Sequence, residues 1–212
     1  MISIIDCGFG NCGSIHNMLR SIGVDAEIVD NPKALMRADA IILPGVGGFN
    51  HGANKLKSFK SVLNERVVGE AVPFLGICLG MQLLLEHSEE GDAPGLGWFA
   101  GAVKKFNFNE LQIDRPLPVP HMGWNLISPT KESPLFDKST NHQDRYYFVH
   151  SYHVKCEEIN DVTANAFYGY DFACAIQKKN IFGVQFHPEK SHRFGKQLFI
   201  DFLEYAACSR LE

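Results

Sequence analysis

The chain has 212 residues, 45% of them hydrophobic and 21% charged, with a formal net charge of -4 at pH 7. That length suits one domain with a sizeable core, and the acidic balance argues against a nucleic-acid-binding surface, which needs a basic excess. No apolar run approaches the ~20 residues of a membrane span, and the six cysteines show neither zinc-type pairing nor a dense disulfide framework, as expected of free thiols in a reducing cytoplasm.

Residues 2–7 form an apolar strand pattern with no charged leader before it. Gly8-Phe9-Gly10-Asn11-Cys12-Gly13 follows and leads into a helix predicted over 14–22. This matches G-x-G-x-x-G, and Asp30 falls near the acidic position roughly 20 residues on. An NAD-dependent oxidoreductase using Gly8, Gly10 and Gly13 is therefore one reading. The other is a tight strand-to-helix turn that needs glycine backbone angles, and the shortness of the chain for a dinucleotide domain plus a substrate domain favours it. Residues 26–30 and 39–43 read as buried strands. Between them Asn31-Pro32 marks the start of a short helix over 33–37. Leu56, Phe59, Leu63 and Val67 recur at helical spacing and predict one amphipathic helix.

The apolar run 71–75 enters Gly76-Ile77-Cys78-Leu79-Gly80, and helix formers occupy 81–86. This order predicts a nucleophile elbow, a sharp strand-to-helix turn that lifts a reactive side chain above the sheet edge. The flanking glycines leave room for the bend. A helix N-terminus favours thiolate over thiol at Cys78.

Beyond the elbow the runs 98–108, 119–127, 145–155, 162–168 and 174–178 are β-rich and separated by turn residues, so they predict further strands, many of them antiparallel. His150-Ser151-Tyr152-His153 supplies two histidines without further spaced ligands, so no metal and no cofactor is expected. Residues 181–186 read as a strand that ends in His187-Pro188-Glu189. Pro188 pushes His187 toward an extended backbone, and in an extended segment His187 and Glu189 project to one side. Glu189 can then orient the imidazole that exchanges protons with Cys78. A helix over 194–207 closes the chain, with Leu198, Phe199, Phe202, Leu203 and Ala206 facing inward. The expected fold is α/β, with a mostly parallel central sheet covered by helices on both faces and additional antiparallel strands in the second half. One domain is expected to span 1–212, with Leu211-Glu212 open to being an expression-tag remnant. The loop 44–47, the Cys78 elbow and the His187 strand end should meet at one sheet edge.

Gly76-Ile77-Cys78-Leu79-Gly80-Met81-Gln82 together with Gln185-Phe186-His187-Pro188-Glu189 resembles the class I (triad) glutamine amidotransferases. The resemblance covers nearly the whole chain. Ile42-Leu43-Pro44-Gly45-Val46-Gly47, Pro120-His121-Met122-Gly123-Trp124-Asn125, the stretch 147–152 and Lys190-Ser191 are similar to the glutaminase subunits that serve histidine biosynthesis. It implies a flavodoxin-like fold and hydrolysis of L-glutamine to glutamate and ammonia by Cys78, His187 and Glu189. It also implies oxyanion stabilisation at Val46, Gly47 and Leu79, and glutamine contacts from Gly45, Gly47, Gln82, Ser151 and Tyr152. The implied partner is a (βα)8-barrel cyclase that forms a heterodimer and takes up the ammonia, with Asn11, Pro120, Met122, Trp124, Tyr147 and Lys190 at the interface or ammonia passage. The stretches 168–172 and 190–194 resemble paralogues that supply ammonia for amidation of a surface-polysaccharide sugar, which is the alternative acceptor.

Overall fold

Short runs of aliphatic residues that are apolar at every position bury both faces of a strand, and parallel sheets are built from them. In the computed structural model, which describes residues 1–109, 117–136 and 144–209, the first such runs are β1 (Ile2–Ile5), β2 (Ala26–Val29), β3 (Ala40–Gly45) and β4 (Phe74–Cys78). Interleaved with them are α1 (Cys12–Ser21), α2 (Phe49–Leu56), α3 (Lys60–Leu63) and the single turn α4 (Leu79–Gln82). The β-rich part comprises β5 (Leu85–Ser88), β6 (Phe99–Lys105), β7 (His121–Leu126), β8 (Ser128–Pro129), β9 (Arg145–His150), β10 (Tyr152–Cys156), β11 (Val162–Tyr168), β12 (Tyr170–Lys178) and β13 (Ile181–Val184). Helix α5 (His192–Cys208) follows. The residues suspected of being a tag remnant lie outside the described residues.

The main sheet runs β2-β1-β3-β4-β13-β12-β10-β6-β5, with β11 paired to β12 and β8 to β11. From β2 to β13 all neighbours are parallel, and from β13 to β6 they are antiparallel. The sheet is thus α/β with the antiparallel extension expected from the second half. Period-two alternation divides the core between its faces. Ile42, Leu75 and Ile77 pack in one cluster with Leu19 of α1 and Phe199 and Phe202 of α5. Ile41, Leu43 and Phe74 pack in the other with Phe49 of α2 and Leu63 of α3. Among the described residues no helix is long and apolar enough to cross a membrane.

Three predicted elements differ. The helix expected through Leu56, Phe59, Leu63 and Val67 is broken: α2 ends at Leu56, α3 starts at Lys60, and a π-helical turn covers Asn64–Gly69. All four apolar residues are buried, so periodicity reported the shared face correctly but not the breaks in the backbone ladder. The helix expected over 81–86 stops at Gln82. Leu83, Leu84 and Leu85 are all fully buried, which a one-sided helix does not allow, and Leu85 instead starts a strand paired with β6. The run 145–155 is two strands. The chain turns at Ser151 so that β9 pairs with β7 in a separate two-stranded ribbon while β10 joins the main sheet.

Candidate active site

Parallel β1, β3, β4 and β13 end on the same side of the sheet, and that edge carries the predicted chemistry. Cys78, the last residue of β4, has φ 54 and ψ -109, an uncommon conformation for a residue with a side chain. Packing around the turn forces it. A Cβ on Gly80 would lie 2.0 Å from the Leu43 carbonyl oxygen, and one on Gly76 would lie 2.6 Å from the Gly80 oxygen. Only glycine permits so tight a bend. Because α4 is one turn, few peptide dipoles align behind Cys78, and the helix-end stabilisation expected from the sequence is correspondingly small.

β13 lies beside β4 in register, Val184 opposite Ile77, which sets His187 next to the elbow. His187 is extended, with φ -104 and ψ 94, as the following proline requires. The extended path expected through Glu189 is not found. Pro188–Lys190 forms a 3-10 turn, and the turn, rather than strand alternation, swings Glu189 back onto the imidazole. His187 Nδ1 donates to Glu189 Oε1 at 2.8 Å, with both side chains at most 2% exposed. Asn11 Nδ2 donates to the same oxygen at 3.4 Å. The backbone is pinned too: Ser191 Oγ donates to the His187 carbonyl at 2.6 Å and accepts from Tyr147 N–H, while His187 N–H donates to the Tyr147 carbonyl.

Burial alone pushes the His187 imidazole down, but the Cys78 sulfur and then Glu189, by hydrogen bonding and by charge, outweigh it and raise its pKa to about 10. His187 Nε2 makes no hydrogen bond of full geometry, so its contact with the sulfur is loose, and such contacts tighten around a substrate. Elsewhere burial holds thiols protonated: Cys7 and Cys156 are pushed up to about 12, Cys12 to about 11, and Cys174 is raised further.

A pocket of about 450 Å³ opens over Cys78 and His187. Val46, Gly47, Leu79, Gln82, Ser151 and Tyr152, all predicted to serve the substrate, line it together with Pro120. Gly45 does not line it; a Cβ there would lie 2.7 Å from Leu79 Cβ, so its part is to let β3 close on the elbow. Gln82 Nε2 donates to the Tyr152 carbonyl and to Gln185 Oε1, each at 3.1 Å. Both amide hydrogens are thereby used, and only its oxygen remains to meet a ligand.

Glu90 was not anticipated. It lines the pocket, and its Oε2 accepts from Phe49 N–H at the start of α2 at 2.8 Å. In Glu86-His87-Ser88-Glu89-Glu90 nothing local separates it from a solvated acidic run. His150 also lines the pocket. Its Nδ1 donates to the Tyr152 carbonyl at 2.8 Å, so its Nε2 accepts from His121 Nδ1 at 3.0 Å, and His121 Nε2 in turn accepts from Asn125 Nδ2 at 3.2 Å. His153 is held by the Val154 carbonyl and the Tyr170 hydroxyl. These rings are committed to protein partners, and among the described residues no group of three His, Cys, Asp or Glu is placed to hold a metal.

Of the predicted interface residues, Met122 and Trp124 project from β7 at 62% and 44% exposure. Tyr147 stands opposite Trp124 in register, and Lys190 Nζ lies 5.8 Å over the Tyr147 ring. Asn11 is half-buried and reaches Glu189, the residue before Lys190. The Gly8–Gly13 loop therefore carries Asn11 to the site and packs on Pro44, whose Cγ would lie 3.1 Å from a Cβ on Gly10.

The profile of the family described as "Glutamine amidotransferase class-I" matches residues 3–205. The chain is 44% identical over 204 residues to "Imidazole glycerol phosphate synthase subunit HisH" of Leptospira borgpetersenii, covering 95% of this chain and 98% of that one. It is 45% identical over 208 residues to "Imidazole glycerol phosphate synthase subunit HisH 2" of Methanococcus maripaludis, covering 97% and 100%. Among solved structures, a glutamine amidotransferase superposes with a TM-score of 0.73 at 17% identity, covering 97% and 98%. PurLQS from Thermotoga maritima superposes with a TM-score of 0.72 at 19% identity, covering 96% and 97%. At these identities the structural likeness is one of fold.

Proposed function

This chain belongs to the class I glutamine amidotransferase family, and we propose that it is the glutaminase subunit of an imidazole glycerol phosphate synthase, working in the cytoplasm. The observation that carries the reading is the buried His187–Glu189 pair, 2.8 Å apart, beside a cysteine on a strained elbow at the floor of the pocket. The likeness to imidazole glycerol phosphate synthase subunits over nearly the full length supports the choice of pathway over the surface-sugar and oxidoreductase alternatives.

In this mechanism the Cys78 sulfur attacks the side-chain amide carbon of glutamine, forming a C–S bond. Backbone N–H groups of Leu79 and of the Val46-Gly47 segment stabilise the oxyanion; losing one such donor costs about 3–4 kcal/mol. The C–N bond breaks as His187 gives its Nε2 proton to the departing amine, leaving a glutamyl thioester and ammonia. His187 then takes a proton from water, hydroxide displaces the sulfur, and glutamate leaves. Glu189 keeps the ring in one tautomer and supports its charge. Gln82 Oε1, Ser151 and Tyr152 hold the substrate, and the Glu90 carboxylate is suited to its α-ammonium group.

Free ammonia in water is protonated and loses its nucleophilicity, so the product is best delivered through a shielded path. The cluster of exposed Met122, Trp124 and Lys190 with half-buried Tyr147, beside Pro120 at the pocket, offers a docking face of aromatic and methionine side chains for a (βα)8-barrel cyclase, with ammonia passing into the barrel of the heterodimer. Glutamate release is assayed with and without the cyclase and its nucleotide ligand. Low activity alone, stimulation by the loaded cyclase, and loss of turnover in Cys78→Ala and His187→Ala are expected. Stimulation absent would move the acceptor elsewhere, and wild-type rates in both variants would remove the mechanism.

A further inference from the structure

Gln185 precedes Phe186 and His187 and is fully buried, yet the mechanism above gives it nothing to do. Its backbone is fixed by donation of its N–H to the Cys174 carbonyl at 2.9 Å. Its carboxamide lies between Gln82 and the nucleophile, with Nε2 3.6 Å from Cys78 Sγ and Oε1 3.1 Å from Gln82 Nε2.

Which end of an amide is nitrogen follows from its partners, and here the partners leave one solution. The Tyr152 carbonyl can only accept, so the group of Gln82 that faces it at 3.1 Å is the NH2. That same NH2 faces Gln185, so Gln185 presents its oxygen to Gln82. The remaining end of Gln185, an NH2, therefore points at the sulfur. We propose that Gln185 anchors the nucleophile: it donates a hydrogen bond to the Cys78 sulfur that stabilises the anionic form and holds it toward the pocket, its polarity dictated by Gln82 and the Tyr152 carbonyl. A core-filling role would be served equally by methionine or leucine, which would not require Gln82 to give up both of its amide hydrogens. A donor to an anion is also worth more than one to a neutral group, so the bond favours thiolate. Since α4 is a single turn, this amide supplies part of what the helix end does not.

The proposal deepens the glutaminase reading and rests on Cys78 as its nucleophile. It is tested on the full chain by the pH dependence of Cys78 alkylation with iodoacetamide, read by peptide mass spectrometry so that the other cysteines do not contribute. In Gln185→Met, which keeps length and lacks the donor, the alkylation midpoint rises by about one pH unit and the rate below it falls about tenfold. An unchanged midpoint in the folded variant overturns the proposal. Should that variant not fold, the unsubstituted protein decides. The side-chain amide protons of Gln185, followed by NMR, shift across the pH range in which Cys78 becomes reactive and lose that response in Cys78→Ala; resonances that stay flat overturn the proposal. Glutamine hydrolysis measured in parallel separates the two ideas. With the cyclase and its nucleotide ligand present in that hydrolysis assay, a shifted alkylation midpoint in Gln185→Met together with no hydrolysis by the unsubstituted protein would keep the anchor and remove the glutaminase reading.

Discussion

At Glu189 two opposing effects meet on one imidazole. Desolvation favours the neutral ring, while the carboxylate at 2.8 Å and the sulfur favour the charged one, and the charged form wins, with a pKa of about 10. Because that value lies above the 6.5 of an ordinary histidine, the stability contributed by the imidazole's interactions with Cys78 and Glu189 is complete below about pH 6.5 and disappears as pH rises toward 10. Glu189→Gln keeps the shape and removes the charge. It is expected to lower kcat by about 10³- to 10⁴-fold, as loss of the orienting carboxylate does in a triad, with a smaller change in KM. It should also reduce the alkaline loss of stability in urea unfolding between pH 6.5 and 10, leaving the share due to Cys78; a variant retaining the parent's full alkaline profile would count against Glu189 as a source.

At the scale of elements, the ribbon of β7 and β9 ties the proposed docking face to the proposed reaction centre. Tyr147 presents its side chain toward Trp124 and Lys190, while its backbone carbonyl accepts from His187 N–H. Trp124 stacks on His192 with ring centroids 5.5 Å apart and 44% of its surface open, an arrangement suited to an interface anchor and of little consequence to the core. Trp124→Ala is expected to weaken cyclase binding by about 30-fold, as for a moderate hot spot, while moving the melting temperature little; calorimetric titration and thermal unfolding read the two effects separately. The family resemblance grouped Met122 and Trp124 at one interface, but nothing in the sequence showed that β9 would leave the main sheet. The turn at Ser151 lies inside an unbroken β-rich run, and the choice of pairing partner is made by residues far along the chain.

For the whole molecule, the histidines buried around the antiparallel extension set its response to acid. Burial pushes His121 down to about 4 and His150 to about 3. Below about pH 6.5 the unfolded chain takes up protons on both while the folded chain does not until those lower values, so stability should fall as pH drops through that window. Urea midpoints recorded from pH 7 to pH 4 should decline, and His121→Gln should soften the decline; a flat profile would contradict the burial argument. The sequence by itself determined the parallel sheet and the tight turn at Cys78, because apolar runs and glycine spacing are local causes with local effects, and it singled out His187 and Glu189 as candidates without showing the 3-10 turn that joins them. Tertiary structure alone decided that Leu85 pairs as a strand, that Glu90 reaches the pocket from an acidic run, that Asn11 meets Glu189, and that Gln185 touches the sulfur. Each of these depends on a contact between residues distant in the chain, whose geometry is fixed only when the two cores close on either face of the sheet.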